Sequence, residues 1–342
     1  MNICICGGGN LGHVCAGFLA SQPENKISLL TTRPDIWSRY IDIIAPEGEI
    51  IHGTLNCISD KPQDVIPDAQ VVLLCLPGFA IREVLCTIAP CLSPNTWVGS
   101  VVSSTGFFFE AMKVLPPEQP LFGFQRVPFI SRITEYGKEA ELKGYKESLS
   151  VAIEQSVEKE IIRSTLENLF RTPVKLLYSH YEASLSNSNP LLHTSRLYTM
   201  WKDWKPGIVY DHNPGFYSDW TVEASELYIA MDVEFQALLK VLGVKGGSVP
   251  TVLDYYESKD TESLTRKIKS IPAFQGIGSP MKQVDGGWIP DFSSRYFTED
   301  FPYGLRFIVE LISKTGDVHG PYLKGVYDWG MKMLNNKDGI LI

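Results

Sequence analysis

Basic residues are in short supply: 31 Lys and Arg stand against 39 Asp and Glu, a formal charge of −8, and no stretch gathers the cations into a run. Polyphosphate backbones are gripped by basic stripes, so nucleic acid is not an expected partner. Long apolar runs are also missing. None reaches the ~18 consecutive residues of a membrane span, so no membrane partner is expected. The opening apolar run has no basic segment before it and is too short for a secretory signal core. The seven cysteines are odd in number and never spaced C-x-x-C. Cys4, Cys6, Cys75 and Cys86 lie in apolar runs and read as small core residues of a cytoplasmic protein, with no metal site. Internal repeats and low-complexity tracts are absent.

What is present starts at the first residue. Ile3 and Ile5, with Cys4 and Cys6, form a short strand-like run that ends in Gly7-Gly8-Gly9-Asn10-Leu11-Gly12, a G-x-G-x-x-G, followed by a helix-like stretch from Val14. Each position has a physical reason. Gly7 permits the tight turn, Gly9 lets backbone N–H groups approach a pyrophosphate, and Gly12 lets the helix lie close to the strand. Asn10 and Leu11 open the helix, whose N-terminal donors suit the phosphates. In that context the motif predicts dinucleotide binding.

Lys26 to Thr31 reads as the second strand. NAD sites place an acid ~20 residues beyond the glycines to accept from the ribose 2′-hydroxyl. This chain has Thr32 and Arg33 there. A guanidinium pairs with a 2′-phosphate that a carboxylate would repel, so NADP is expected over NAD. The bland reading makes Arg33 a solvated loop residue before Pro34.

A small hairpin is expected over Glu49 to Ile58 and a short helix over Val65 to Ala69. Val71 to Leu76 is a continuous apolar strand of the kind buried on both faces of a parallel sheet. It ends at Leu76 and Pro77, which face the ligand crevice if they lie at a carboxyl edge. Further strands are expected at Trp97 to Ser103, Leu121 to Phe124, Ser148 to Ile153 and Val174 to Ser179, with a helix over residues 80–91. Strands alternating with helices predict a Rossmann-type, doubly wound parallel sheet. Beyond about residue 180 helical periodicity takes over, at Pro190 to Trp201, Asp219 to Leu242, Ser258 to Lys269, Tyr303 to Lys314 and Pro321 to Asn335. The expected organisation is an α/β nucleotide-binding domain over 1–182 and a mostly α-helical second domain over 183–342. An aromatic segment within the latter (Trp201, Trp204, Tyr210, Phe216, Tyr217, Trp220) is either core or the lining of a substrate pocket.

Two stretches carry candidate chemistry. In Asn189-Pro190-Leu191-Leu192-His193 the proline suits a first helical turn, which sets His193 on the same face as Asn189. An imidazole there is either a satisfied core group or an acid/base. In Arg295-Tyr296-Phe297-Thr298-Glu299-Asp300-Phe301-Pro302-Tyr303-Gly304-Leu305, Asp300 is either the N-cap of the next helix, with Arg295 exposed, or a partner brought toward Arg295 by a turn.

N-P-x-x-H followed a hundred residues later by R-Y-x-x-x-D-x-P-Y-G-L resembles the octopine (opine) dehydrogenase family. Gly123-Phe124-Gln125-Arg126-Val127-Pro128 is similar to that family's Gln-x-x-Pro stretch. The resemblance implies an NAD(P)-dependent dehydrogenase acting on a CH–NH group, which joins an α-keto acid to an amino acid and reduces the imine. It also implies roles: His193 as general acid/base, Asp300 as its orienting partner, Arg295 as the clamp on a substrate carboxylate. Gln125 or Arg126 is the candidate for holding a second carboxylate, Asn189 is a further substrate-binding candidate, and a homodimer is compatible. The chain departs from better-known members in being short and in carrying Arg33. Two other readings remain: a keto- or hydroxy-acid reductase of the ketopantoate-reductase or 3-hydroxy-acid-dehydrogenase kind, which depends on a helical lysine, and a non-catalytic NADP-binding redox sensor.

Overall fold

The computed structural model describes residues 1–335. The chain forms two compact units, Met1–Ser186 and one beginning at Asn187.

In the first unit an eight-stranded sheet runs in the spatial order Val174–Leu176, Leu149–Glu154, Leu121–Phe124, Trp97–Ser100, Val71–Leu74, Asn2–Cys6, Lys26–Leu30, Cys57–Ser59. Its last six members give the 3-2-1-4-5-6 order of a dinucleotide fold read from the other edge. Side chains alternate between two buried faces. Ile3, Ile5, Val71 and Leu73 pack on one side, and Cys4, Cys6, Val72 and Leu74 on the other. Each large aliphatic side chain so buried contributes about 1.5–3 kcal/mol. This is why these strands carry hardly any polar residue.

Several expectations need correction. The sheet is not wholly parallel, since Leu149–Glu154 runs antiparallel to Leu121–Phe124. The hairpin expected over Glu49 to Ile58 does not form as such. Ile50–Thr54 pairs back onto Tyr40–Ile44, whereas Cys57–Ser59 joins the main sheet. The short helix lies at Pro62–Val65, ahead of its expected place, because Pro62 suits a first helical turn. Cys86 is exposed on helix Gly78–Ile88 rather than in the core.

A second, four-stranded sheet was not anticipated: Ile50–Thr54, Tyr40–Ile44, Glu139–Tyr145, Phe129–Glu135. It packs on helix Asn10–Ala20, so Ile41, Ile43, Phe129, Ala140 and Leu142 share a core with Val14 and Phe18. Residues 12–19 of that helix are all buried. A helix apolar on every side needs cover on every side, and this sheet supplies it.

In the second unit, helices Asn189–Trp201, Val222–Val241, Thr261–Ser270 and Pro321–Asn335 pack together. Arg306–Thr315 follows a π-helical turn, Phe301–Leu305. The unit also holds a hairpin, Met281–Val284 with Gly287–Pro290. Trp201, Phe297, Phe301 and Trp329 interlock at its centre. Among the described residues no helix is long and apolar enough to cross a membrane.

Candidate active site

In the first unit the glycine fingerprint sits between Asn2–Cys6 and Asn10–Ala20. Gly7 takes φ +116°, and a Cβ there would lie 2.6 Å from the Cys75 carbonyl oxygen. A Cβ on Gly12 would collide with the carbonyl of Gly7. These two glycines are required by the protein's own packing. Gly9 differs: its backbone is ordinary (φ −83°) and no protein atom lies within 4 Å of a built Cβ. Packing does not explain that glycine, whereas an approaching phosphate does. The residues present therefore fit a dinucleotide.

The turn is braced by a residue the sequence reading passed over. His13, fully buried, donates from Nδ1 to the Gly9 carbonyl at 3.0 Å and accepts at Nε2 from the Gly137 N–H at 2.7 Å. Burial lowers its pKa, helped by the nearby Arg33 charge and opposed by the Gly9 bond. Asn10 is braced too, its Oδ1 accepting from the Ile133 N–H at 2.9 Å. Thr32 and Arg33 are exposed beyond Lys26–Leu30, and the Arg33 guanidinium lies 4.0 Å from the Tyr136 ring centroid. Leu76 and Pro77 follow Val71–Leu74, with Pro77 heading helix Gly78–Ile88. Gln125 donates from its amide to the Glu182 carbonyl at 3.1 Å.

In the second unit His193 and Asp300 meet. Nδ1–H of His193 donates to Asp300 Oδ2 at 2.7 Å, with both side chains largely buried. Residues 107 positions apart are brought together by a close fit. The π-turn Phe301–Leu305 lies against the first turn of Asn189–Trp201, where a Cβ on Gly304 would stand 2.6 Å from Pro190 Cγ. Phe301 fits against Gly330 of the last helix, where any Cβ would strike its ring. Asp300 therefore heads the turn with its carboxylate on the histidine, not as the side-chain cap considered above. π-turns of this kind commonly mark functional sites, because they re-aim a side chain by one position.

The other ring nitrogen, Nε2, is 2.8 Å from the Tyr217 hydroxyl. Tyr217 is buried and stacks on Phe274 with centroids 4.0 Å apart. Tyr296 adjoins that hydroxyl, and its ring stands edge-on to His193 at 4.8 Å. Burial raises both phenol pKa values. Arg196, one turn along the helix from His193, holds this segment from below. It donates to the carbonyls of Phe216 at 3.2 Å and Asp219 at 2.7 Å. Burial pushes Arg196 down to about 10. Trp201, Phe216, Tyr217 and Trp220 of the aromatic segment are thus core, Tyr217 touching His193 as well, while Trp204 and Tyr210 are partly exposed.

Arg295 is not drawn to the histidine. Its exposed guanidinium forms a fork with Glu299, at 2.7 and 2.9 Å, on the one-turn helix Arg295–Thr298. Asn189 is exposed at the start of its helix, one turn before His193.

Residues 177–334 match the family described as NAD/NADP octopine/nopaline dehydrogenase, alpha-helical domain. The helical part of the chain thus carries that family's domain. Among the proteins the chain is similar to, an opine dehydrogenase of Haliotis discus hannai is 28% identical, over 98% of this chain and 91% of its own length. An octopine dehydrogenase of Mizuhopecten yessoensis is also 28% identical, over 89% and 83%. A solved octopine dehydrogenase with NADH and L-arginine shares the fold at a TM-score of 0.83 and 24% identity, covering 99% of this chain and 91% of that one.

Proposed function

We propose that this chain is an NADPH-dependent opine dehydrogenase of the octopine dehydrogenase family, joining an α-keto acid to the amino group of an amino acid and reducing the resulting imine to a secondary amine. The observation that carries this reading is the 2.7 Å bond between His193 and Asp300 in the helical unit. The bound nucleotide supplies a hydride for the imine carbon. Everything else falls to side chains.

Forming the imine expels the keto oxygen as water, which needs a proton donor, and His193 is the group for it. Asp300 holds the Nδ1–H tautomer and stabilises the ring when it carries a second proton, as an aspartate does in a triad. Arg295 presents a planar fork to the substrate carboxylate, exchanging Glu299 for it, and so turns an encounter into an oriented complex. Asn189 and Gln125 are further polar contacts for the substrates. Gly7, Gly9, Asn10, Leu11 and Gly12 hold the pyrophosphate, Leu76 and Pro77 border the nucleotide, and Thr32 and Arg33 receive a 2′-phosphate. The buried free thiols Cys4, Cys6, Cys15 and Cys75 fit a reducing, cytoplasmic setting.

A ketopantoate-reductase-like mechanism would use a helical lysine. Lys202 instead ends its helix and pairs with Glu223 at 2.7 Å, which disfavours that role. The decisive assay follows NADPH oxidation with keto acids and amino acids offered singly and in pairs. Oxidation that requires both, and that falls by ~10²-fold or more in His193→Ala with nucleotide affinity retained, is the expected result. Oxidation with a keto acid alone would point to the reductase, and tight NADPH binding with no turnover on any pairing to a redox sensor.

A further inference from the structure

We infer that Tyr217 and Tyr296 form a proton relay through which His193 acts, so that the hydroxyl delivering the proton to substrate is a phenol rather than the imidazole itself. This rests on the proposed function above for the reaction it serves, and on separate geometry for the relay.

Both nitrogens of His193 are engaged. Nδ1 is held by Asp300, and Nε2, the position from which an imidazole would address a substrate, is 2.8 Å from the Tyr217 hydroxyl. A phenol there is either a plug that must swing away or a conductor. Packing speaks for the conductor. The Tyr217 ring is sandwiched on Phe274 at 4.0 Å, meets Phe216 at 4.9 Å, and belongs to a segment whose carbonyls are clamped by the buried Arg196. Swinging the ring out would give up its stack on Phe274 and its edge contact with Phe216. Tyr296, half-buried on the helix Arg295–Thr298, adjoins the Tyr217 hydroxyl and is the next group a proton can reach. The path thus runs from the buried pair to a half-buried phenol.

The proton steps balance. As the C–O bond of the amino-alcohol adduct breaks and water leaves, the Tyr296 O–H proton passes to the departing oxygen. The Tyr217 proton moves onto the Tyr296 oxygen, and the Nε2 proton of the imidazolium moves onto the Tyr217 oxygen. Both phenols end as they began. The imidazole remains neutral, with Nδ1–H still donated to Asp300. Because burial disfavours either phenolate, a relay that passes protons through without leaving charge on oxygen is the path this environment permits.

The test uses the full chain with NADPH and a keto acid and amino acid pair that supports turnover. Tyr217→Phe keeps the stacked ring and removes the oxygen. It should lower kcat by ~10²-fold, leave KM for the keto acid within about twofold, and flatten the curved dependence of kcat on solvent deuterium fraction that several moving protons produce. Wild-type kcat and an unaltered isotope dependence in Tyr217→Phe would overturn the relay. Should that variant fail to fold, Tyr296→Phe carries the same expectations and the same refutation. A second measurement needs no turnover: the ¹⁵N resonance of His193 Nε2 should move on Tyr217→Phe, and an unmoved resonance refutes the relay. A moved resonance in a chain that turns over no substrate pair would leave the phenol bond standing and remove the opine reading instead.

Discussion

Gly304 and Pro190 touch without a side chain between them: a Cβ on the glycine would stand 2.6 Å from Pro190 Cγ. This contact seats the π-turn on the first turn of Asn189–Trp201 and so sets Asp300 beside His193. Gly304→Ala should push the turn away from the helix. We expect a loss of about 1–3 kcal/mol in stability, the cost of overpacking, together with a fall in kcat larger than any change in nucleotide affinity. A variant that keeps full kcat would show that the pairing tolerates displacement.

The three fingerprint glycines should separate by mechanism. Gly12→Ala meets the Gly7 carbonyl and should destabilise the first unit by about 1–3 kcal/mol. Gly9→Ala meets no protein atom, so its unfolding free energy should stay within about 0.5 kcal/mol of wild type. Its nucleotide affinity should collapse nonetheless. Thermal melts paired with nucleotide titrations check both, and an unimpaired affinity in Gly9→Ala would remove the phosphate from that position.

Arg33 decides cofactor choice on this reading. Arg33→Ala should weaken NADPH binding by about 1.5–3 kcal/mol, the scale of hydrogen bonds to a charged group, with NADH affinity nearly unchanged. Equal losses for the two would make the Arg33 stack on Tyr136 a structural feature.

His13 gives the fold a pH dependence of known sign. Burial lowers its pKa, so it is neutral in the folded chain, while the unfolded imidazole takes up a proton near pH ~6.5. Below that value the unfolded state binds more protons, and stability therefore rises with pH. The contribution is complete above about pH 6.5 and is lost as pH falls through the depressed folded value. Melting temperatures from about pH 5 to about pH 7.5 should show this slope in the wild type and a shallower one in His13→Gln. Identical slopes would assign the dependence to other groups.

Arg295 should matter to substrate and little to stability. Its pair with Glu299 is exposed, and such pairs are worth little. Arg295→Leu should unfold within about 0.5 kcal/mol of wild type while KM for the keto acid rises by about tenfold or more. A KM left unchanged would withdraw Arg295 from carboxylate recognition.

Legibility followed the range of the interactions. The G-x-G-x-x-G turn, the apolar strand Val71–Leu74 and the long helices are written locally, since a tight turn needs glycine and a doubly buried strand needs unbroken apolar residues. The small sheet escaped because Tyr40–Ile44 pairs with Glu139–Tyr145, and nothing near either strand names its partner. A hint was present: helix Asn10–Ala20 is apolar around its whole circumference, which calls for cover on the side away from the main sheet. Tyr217 was visible only as one ring among several, because an aromatic in a core and an aromatic on a histidine have the same local sequence.

By itself, then, the sequence determined the nucleotide turn and the succession of an α/β half by a helical one, and it singled out two residues, His193 and Asp300, as candidates for acid–base chemistry. Tertiary structure alone decided how they are placed: that Asp300 faces the imidazole instead of capping its helix, and that Nε2 points to a phenol. The physical reason is distance along the chain. Local preferences act over a turn or two of backbone, whereas these hydrogen bonds are set where Gly304 and Gly330 let remote segments close to van der Waals contact.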